Sequence, residues 1–207
     1  MAPNDSVTRE QVAAMLMRMV DQKFDTMDIE YPVTDEIIKH TGTWYERGLA
    51  FLASKKTFDS EVECGPITRG EVAKLIAFGL NLSKSEETPF EDIENNQYKP
   101  YIEILYAYGY MNGVSDYEFE PNRLMTRAEF CSMFNNIISR SDKELFTENG
   151  EEVTQETYSI VDLTGHWAEK VMLKATSVYD DNGFIDIGAR ENKIRNVLDN
   201  FNGQIKY

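Results

Sequence analysis

Three arginines stand where a side chain could do chemistry. They sit in Thr8-Arg9-Glu10-Gln11, Thr68-Arg69-Gly70-Glu71 and Thr126-Arg127-Ala128-Glu129. A guanidinium is a planar fork that grips a carboxylate with two parallel hydrogen bonds. Each Thr, with Glu or Gln three residues on, reads as a capping box, so each arginine falls in the first turn of a helix. That turn favours acidic groups, and a cation there is disfavoured by a few tenths of a kcal/mol. Two causes would explain three cations in one unhelpful place. Each arginine folds back to a carboxylate of the next repeat, or each points, with free backbone N–H groups, at an anionic ligand. Spacing alone leaves both open.

The elements that must position the arginines are helices. After Arg9 the apolar positions are Val12, Met15, Leu16, Met19 and Val20. After Arg69 they are Val72, Leu75 and Ile76, and after Arg127 they are Phe130, Met133, Phe134, Ile137 and Ile138. This is the pattern of a helix buried along one face.

Composition narrows the partners. The 207 residues carry a net charge of −15 at 42% apolar content. That balance argues against nucleic acid and against an anionic membrane surface, both of which need a basic face. Any anionic ligand must be held by local arginines against the global field. No apolar run reaches the length of about 18 residues that crosses a membrane. The polar stretch from Pro3 to Glu10 is no signal peptide, so the protein is intracellular or this chain is part of a secreted one. Cys64 and Cys131 are expected as idle thiols rather than a disulfide, and without histidines at ligand spacing they make no zinc site.

The arginines recur after 60 and 58 residues, and the segments between them align as repeats. The chain divides into a tail helix over 1–30, repeat one over 31–82 and repeat two over 88–140. A polar loop follows over 141–157, then repeat three over 158–207. The spacing Pro3 to Thr8 equals that of Pro121 to Thr126, so residues 1–22 read as the tail of a repeat whose front is missing. Repeat one has Asp35, the turn Thr41-Gly42-Thr43 and a short helix from Trp44 to about Ser54. Repeat two has Phe90-Glu91-Asp92, a helix opened by Pro100, and a turn from Gly109 to Gly113. Repeat three has Asp162, Thr164-Gly165-His166-Trp167 and a degenerate final helix around Arg195.

Phe90-x-Asp92, the Tyr98-to-Gly113 helix and turn, Phe119-x-Pro121 and Thr126-Arg127-Ala128-Glu129 together resemble the S-layer homology module. Ile67-Thr68-Arg69-Gly70-Glu71 and Thr164-Gly165-His166-Trp167-Ala168 fit the same pattern. The resemblance implies a mostly α fold, a pseudo-trimeric three-pronged spindle with a central three-helix bundle and short peripheral helices. It implies a monomeric, non-catalytic anchor outside the cell, on the cell wall or S-layer of a Gram-positive bacterium. Such an anchor binds secondary cell-wall polysaccharide, often through a pyruvylated amino sugar, and is covalently joined to a cargo or S-layer domain outside this chain. It needs no cofactor, nucleic acid or membrane insertion. A diverged module that contacts proteins instead is the alternative.

Carried over residue by residue, the resemblance places Arg9, Arg69 and Arg127 on the acidic sugar. Trp44, Tyr98 and Trp167 would stack on sugar rings, and Gly113 would offer its backbone amide. The two tryptophans could equally be core residues capping the bundle. Arg195 lacks its Thr and Glu companions, and repeat one has Ala53 to Thr57 where repeat two has its glycine turn. Only Arg127 with the Gly109–Gly113 turn would complete a groove, and the N-terminal helix would complete the three-helix centre. Asp180 to Asp186 fails as a calcium loop, because Val178 and Ala189 fall at its first and twelfth positions. His40 and His166 are off metal spacing, and no pair among the 36 acids is singled out for glycoside cleavage.

Overall fold

The computed structural model describes residues 2–20, 39–55, 64–138, 145–154, 157 and 161–176. Asp35, the 180–186 segment and Arg195 lie outside them. Among the described residues the chain is mostly α, with six helices and no strand beyond isolated bridges. These are α1 (Arg9–Val20), α2 (Glu46–Ser54), α3 (Arg69–Gly79), α4 (Lys99–Ala107), α5 (Arg127–Ile137) and α6 (Glu169–Thr176). The chain forms two compact units. One spans Asp5–Phe130, and the other joins the first four residues to those from Cys131 onward.

In the first unit α1 packs on α2 and α3, and α3 packs on α4. Val12, Leu16 and Met17 of α1 and Val72, Leu75 and Ile76 of α3 are buried. Each such side chain contributes roughly 1.5–3 kcal/mol. Ala13 and Ala14 join this face while Met15 is only half-buried, so the stripe is broader than the periodicity alone marks. The α1–α2 contact is close because both sides are small. A Cβ on Gly48 would lie 2.6 Å from the Ala14 backbone nitrogen.

The starts of α1, α3 and α5 are tied into a closed ring. Val7 N–H donates to Met125 O at 2.9 Å, Met125 N–H to Ile67 O at 2.9 Å, and Ile67 N–H to Val7 O at 3.2 Å. A second round runs in the opposite direction. Arg9 N–H reaches Gly65 O at 2.8 Å, Arg69 N–H reaches Arg123 O at 2.9 Å, and Arg127 N–H reaches Asp5 O at 2.8 Å. Each bond satisfies a backbone donor that a helix start leaves orphaned. The N-terminal segment thus takes one of three equivalent places.

Within the second unit, residues 2–4 bond to Asp162 and His166. Ala2 N–H donates to the Asp162 carboxylate. In repeat two, Asp92 likewise accepts from Phe119 N–H at 2.9 Å and Glu120 N–H at 2.7 Å. Ala2 and Glu120 share a positive φ, 46° and 57°. His166 Nδ1 accepts from Ala168 N–H at 3.1 Å, which leaves the proton on Nε2 to donate to Asn4 Oδ1 at 3.0 Å. Asn96 bonds Asn122 the same way at 3.2 Å. Within the polar 141–157 stretch, residues 145–154 form a turn. Val153 N–H bonds Leu145 O at 2.7 Å across a turn, and both side chains are buried.

Candidate functional site

The capping boxes set where the arginines emerge. At Thr68 and Thr126 the box is complete. Glu71 N–H and Glu129 N–H donate to the threonine hydroxyls, and the glutamates accept from Thr68 N–H and Thr126 N–H at 2.9 Å each. Each hydroxyl also donates to its glutamate at 3.0 Å. At Thr8 only half the box forms. Gln11 Oε1 accepts from Thr8 N–H at 3.2 Å, while the buried Thr8 hydroxyl has no partner.

The arginine side chains follow the direction of the second round, that of their own N–H groups. Arg9 Nη2 bonds Glu71 Oε1 at 2.7 Å. Arg69 Nη1 lies 3.3 Å from Glu129 Oε1. Each therefore folds back to the carboxylate of the next motif, the first of the two causes that spacing left open. The Arg127 N–H bonds Asp5 O, six residues before Gln11, as the Arg9 and Arg69 N–H groups bond carbonyls six residues before Glu71 and Glu129. Arg127 is half-buried and forms no ion pair among the described residues. The exposed Asp5, whose carbonyl takes the Arg127 N–H, does not pair with it either.

Arg69 is a buried staple, only 4% exposed. Its Nε donates to Phe119 O at 2.8 Å and its Nη2 to Asn112 O at 2.9 Å. It is Arg69, not Arg127, that reaches the Gly109–Gly113 turn. Burial pulls the Arg69 pKa down, and the Glu129 charge opposes this. Burial pushes Glu129 up, but Arg123, the Thr126 N–H and Arg69 outweigh it and hold the carboxyl below its usual range. Glu71 behaves alike: burial raises it, and Thr68 and Arg9 more than reverse the shift.

The remaining candidates divide between surface and packing. Trp44 and Trp167 are 60% and 64% exposed, so neither caps a core. Trp44 meets Tyr45 edge-on, with ring centroids 5.2 Å apart. Tyr98 lies against Gly70, where a Cβ would come within 2.5 Å of its ring. Its pKa is raised by burial and by Glu71, with Arg9 opposing, which places it beside the Arg9–Glu71 pair. Gly113 has a packing reason for being glycine, since a Cβ would meet the Phe90 ring at 2.5 Å and Glu118 O at 2.6 Å. The sequence reading gave Glu71, Glu129 and Gln11 their capping role but did not name Glu71 and Glu129 as the carboxylates that take Arg9 and Arg69. Their signal was present as the fourth residue of each motif.

Among the described residues no group of three His, Cys, Asp or Glu side chains could hold a metal ion. No helix there is long and apolar enough to cross a membrane. Neither Cys64 nor Cys131 is in a disulfide.

Residues 89–131 match the family described as S-layer homology domain. The chain is 28% identical over 135 residues to an uncharacterized cell wall amidase of Bacillus anthracis, covering 62% of this chain and 24% of that protein. It is 25% identical over 149 residues to the cellulosome-anchoring protein of Acetivibrio thermocellus, covering 67% of this chain and 33% of that one. To S-layer protein EA1 of Bacillus anthracis it is 29% identical over 136 residues, covering 62% and 15%. The chain thus spans a third or less of each relative's length. Asn112 and Phe119, which Arg69 holds, lie within the matched residues, so the likeness to the S-layer homology domain rests on that stapled segment.

Proposed function

We propose that this chain is a non-catalytic anchor that holds a larger surface protein to the bacterial cell wall by binding secondary cell-wall polysaccharide. The ligand is an acidic glycan, a pyruvylated amino sugar in the simplest case. The relatives named for the cell wall, for anchoring and for the S-layer support an extracellular, wall-bound location. The cargo lies outside this chain, and the anchor acts as a monomer. The observation that carries the ligand class is Arg127. In a chain of net charge −15 its guanidinium, unlike those of Arg9 and Arg69, pairs with no carboxylate among the described residues. Such a group supplies a bidentate site for a sugar carboxylate. Exposed Trp44 and Trp167 supply faces for sugar rings.

The test is co-sedimentation with purified Gram-positive sacculi, beside sacculi stripped of secondary polymer with hydrofluoric acid. Binding to the first and not the second supports the anchor. Equal binding to both, or none to either, refutes it. The second reading is a scaffold that contacts proteins. It is favoured by the internal ion pairs of Arg9 and Arg69, which leave those two arginines committed to the fold.

A further inference from the structure

The ring gives three arginines the same backbone setting, yet their side chains end in different company. The residue that differs is the one three positions after each capping threonine. It is Glu71 opposite Arg9, Glu129 opposite Arg69, and Gln11 in the place opposite Arg127. We infer that Gln11 decides which arginine is available to a ligand, by withholding the carboxylate that would otherwise neutralise Arg127 from within. This rests on the anchor reading and names the residue that selects the working arginine.

The argument is one of charge and register. In each round of the ring an arginine N–H bonds the carbonyl six residues before that position: Gly65 before Glu71, Arg123 before Glu129, Asp5 before Gln11. The side chain therefore meets the same place each time. A glutamate there does two things. It accepts from the capping threonine and it takes the arginine, as Glu71 and Glu129 do. A glutamine keeps the first role through its oxygen, but it has no second carboxylate oxygen and no charge to neutralise the arginine. Its amide can only donate. Arg127 and the Gln11 amide are then both donors, and a ligand carboxylate would satisfy both. The Thr8 hydroxyl, whose counterparts at Thr68 and Thr126 donate to the glutamate, has no such bond among the described residues.

The test uses the full chain and two readouts. The first is thermal unfolding of wild type, Gln11→Glu, Arg127→Ala and the double variant. An introduced Glu that meets Arg127 raises the melting temperature by about 2–4 °C in the wild-type background and not in the Arg127→Ala background. Equal shifts in both backgrounds overturn the inference, whatever the glycan result. The second readout is binding to native sacculi. Gln11→Glu should weaken binding tenfold or more while remaining folded. Wild-type binding that Gln11→Glu leaves intact overturns the inference but not the anchor. Absence of wild-type binding refutes the anchor, and the unfolding cycle still decides whether position 11 meets Arg127.

Discussion

Arg69 Nε donates to the carbonyl oxygen of Phe119 at 2.8 Å while its guanidinium carbon lies 4.5 Å from the centre of the same residue's ring. One side chain is thus both a hydrogen-bond staple and a cation–π partner for a fully buried phenylalanine. The Arg69→Ala variant should lose about 3–5 kcal/mol, because it strands two carbonyls and removes a partner of Glu129. Urea unfolding checks this, and a loss below about 1 kcal/mol would refute the staple.

Arg127→Ala should behave oppositely. With no ion pair to break, it should cost no more than about 1 kcal/mol. Binding to native sacculi should fall tenfold or more, and further than in Arg9→Ala. Arg9→Ala should instead show its loss in stability, through Glu71. Isothermal titration with soluble wall polymer, alongside unfolding curves, separates the two.

Gly48→Ala sets two effects against each other. In an open helix the change stabilises by about 1 kcal/mol. Here the new Cβ meets backbone of Ala13 and Ala14 at 2.6–2.8 Å, which no rotamer change can relieve. The clash should win, with a net loss of about 2 kcal/mol read by thermal unfolding.

Acid should unlock the ring at Glu71 and Glu129. Both carboxyls are held below their ordinary range in the folded chain. Their contribution is therefore fully present above the unfolded value of about 4.3 and is lost as pH falls through the folded values. Melting temperatures of wild type and of a Glu71→Gln, Glu129→Gln double variant should differ at pH 7. The two should converge near pH 3. A constant gap would show that the charges are not the cause.

Trp44→Ala and Trp167→Ala should each leave stability within about 0.5 kcal/mol, since both side chains are largely in solvent. Reduced retention on native sacculi would place them on the glycan. Unchanged retention would remove them from the site.

The helices and their caps were legible in the sequence, because the signals are local. A threonine, an acid or amide three residues later and an apolar stripe fix where a helix starts and which face it buries. The recurrence of Thr-Arg and the Phe90-to-Pro121 pattern carried the family resemblance. What the sequence could not decide was the company of each arginine. Arg69 meets Asn112, Phe119 and Glu129, which lie 43 to 60 residues away. Those contacts exist only once three distant segments close into a ring. Residues 2–4 likewise read as a fragment, and only folding brings them to Asp162 and His166 across about 160 residues of chain. Local pattern determines the elements because it acts within one turn of helix. The fate of a charge is decided by tertiary structure, because it depends on which carboxylate, carbonyl or amide arrives beside it.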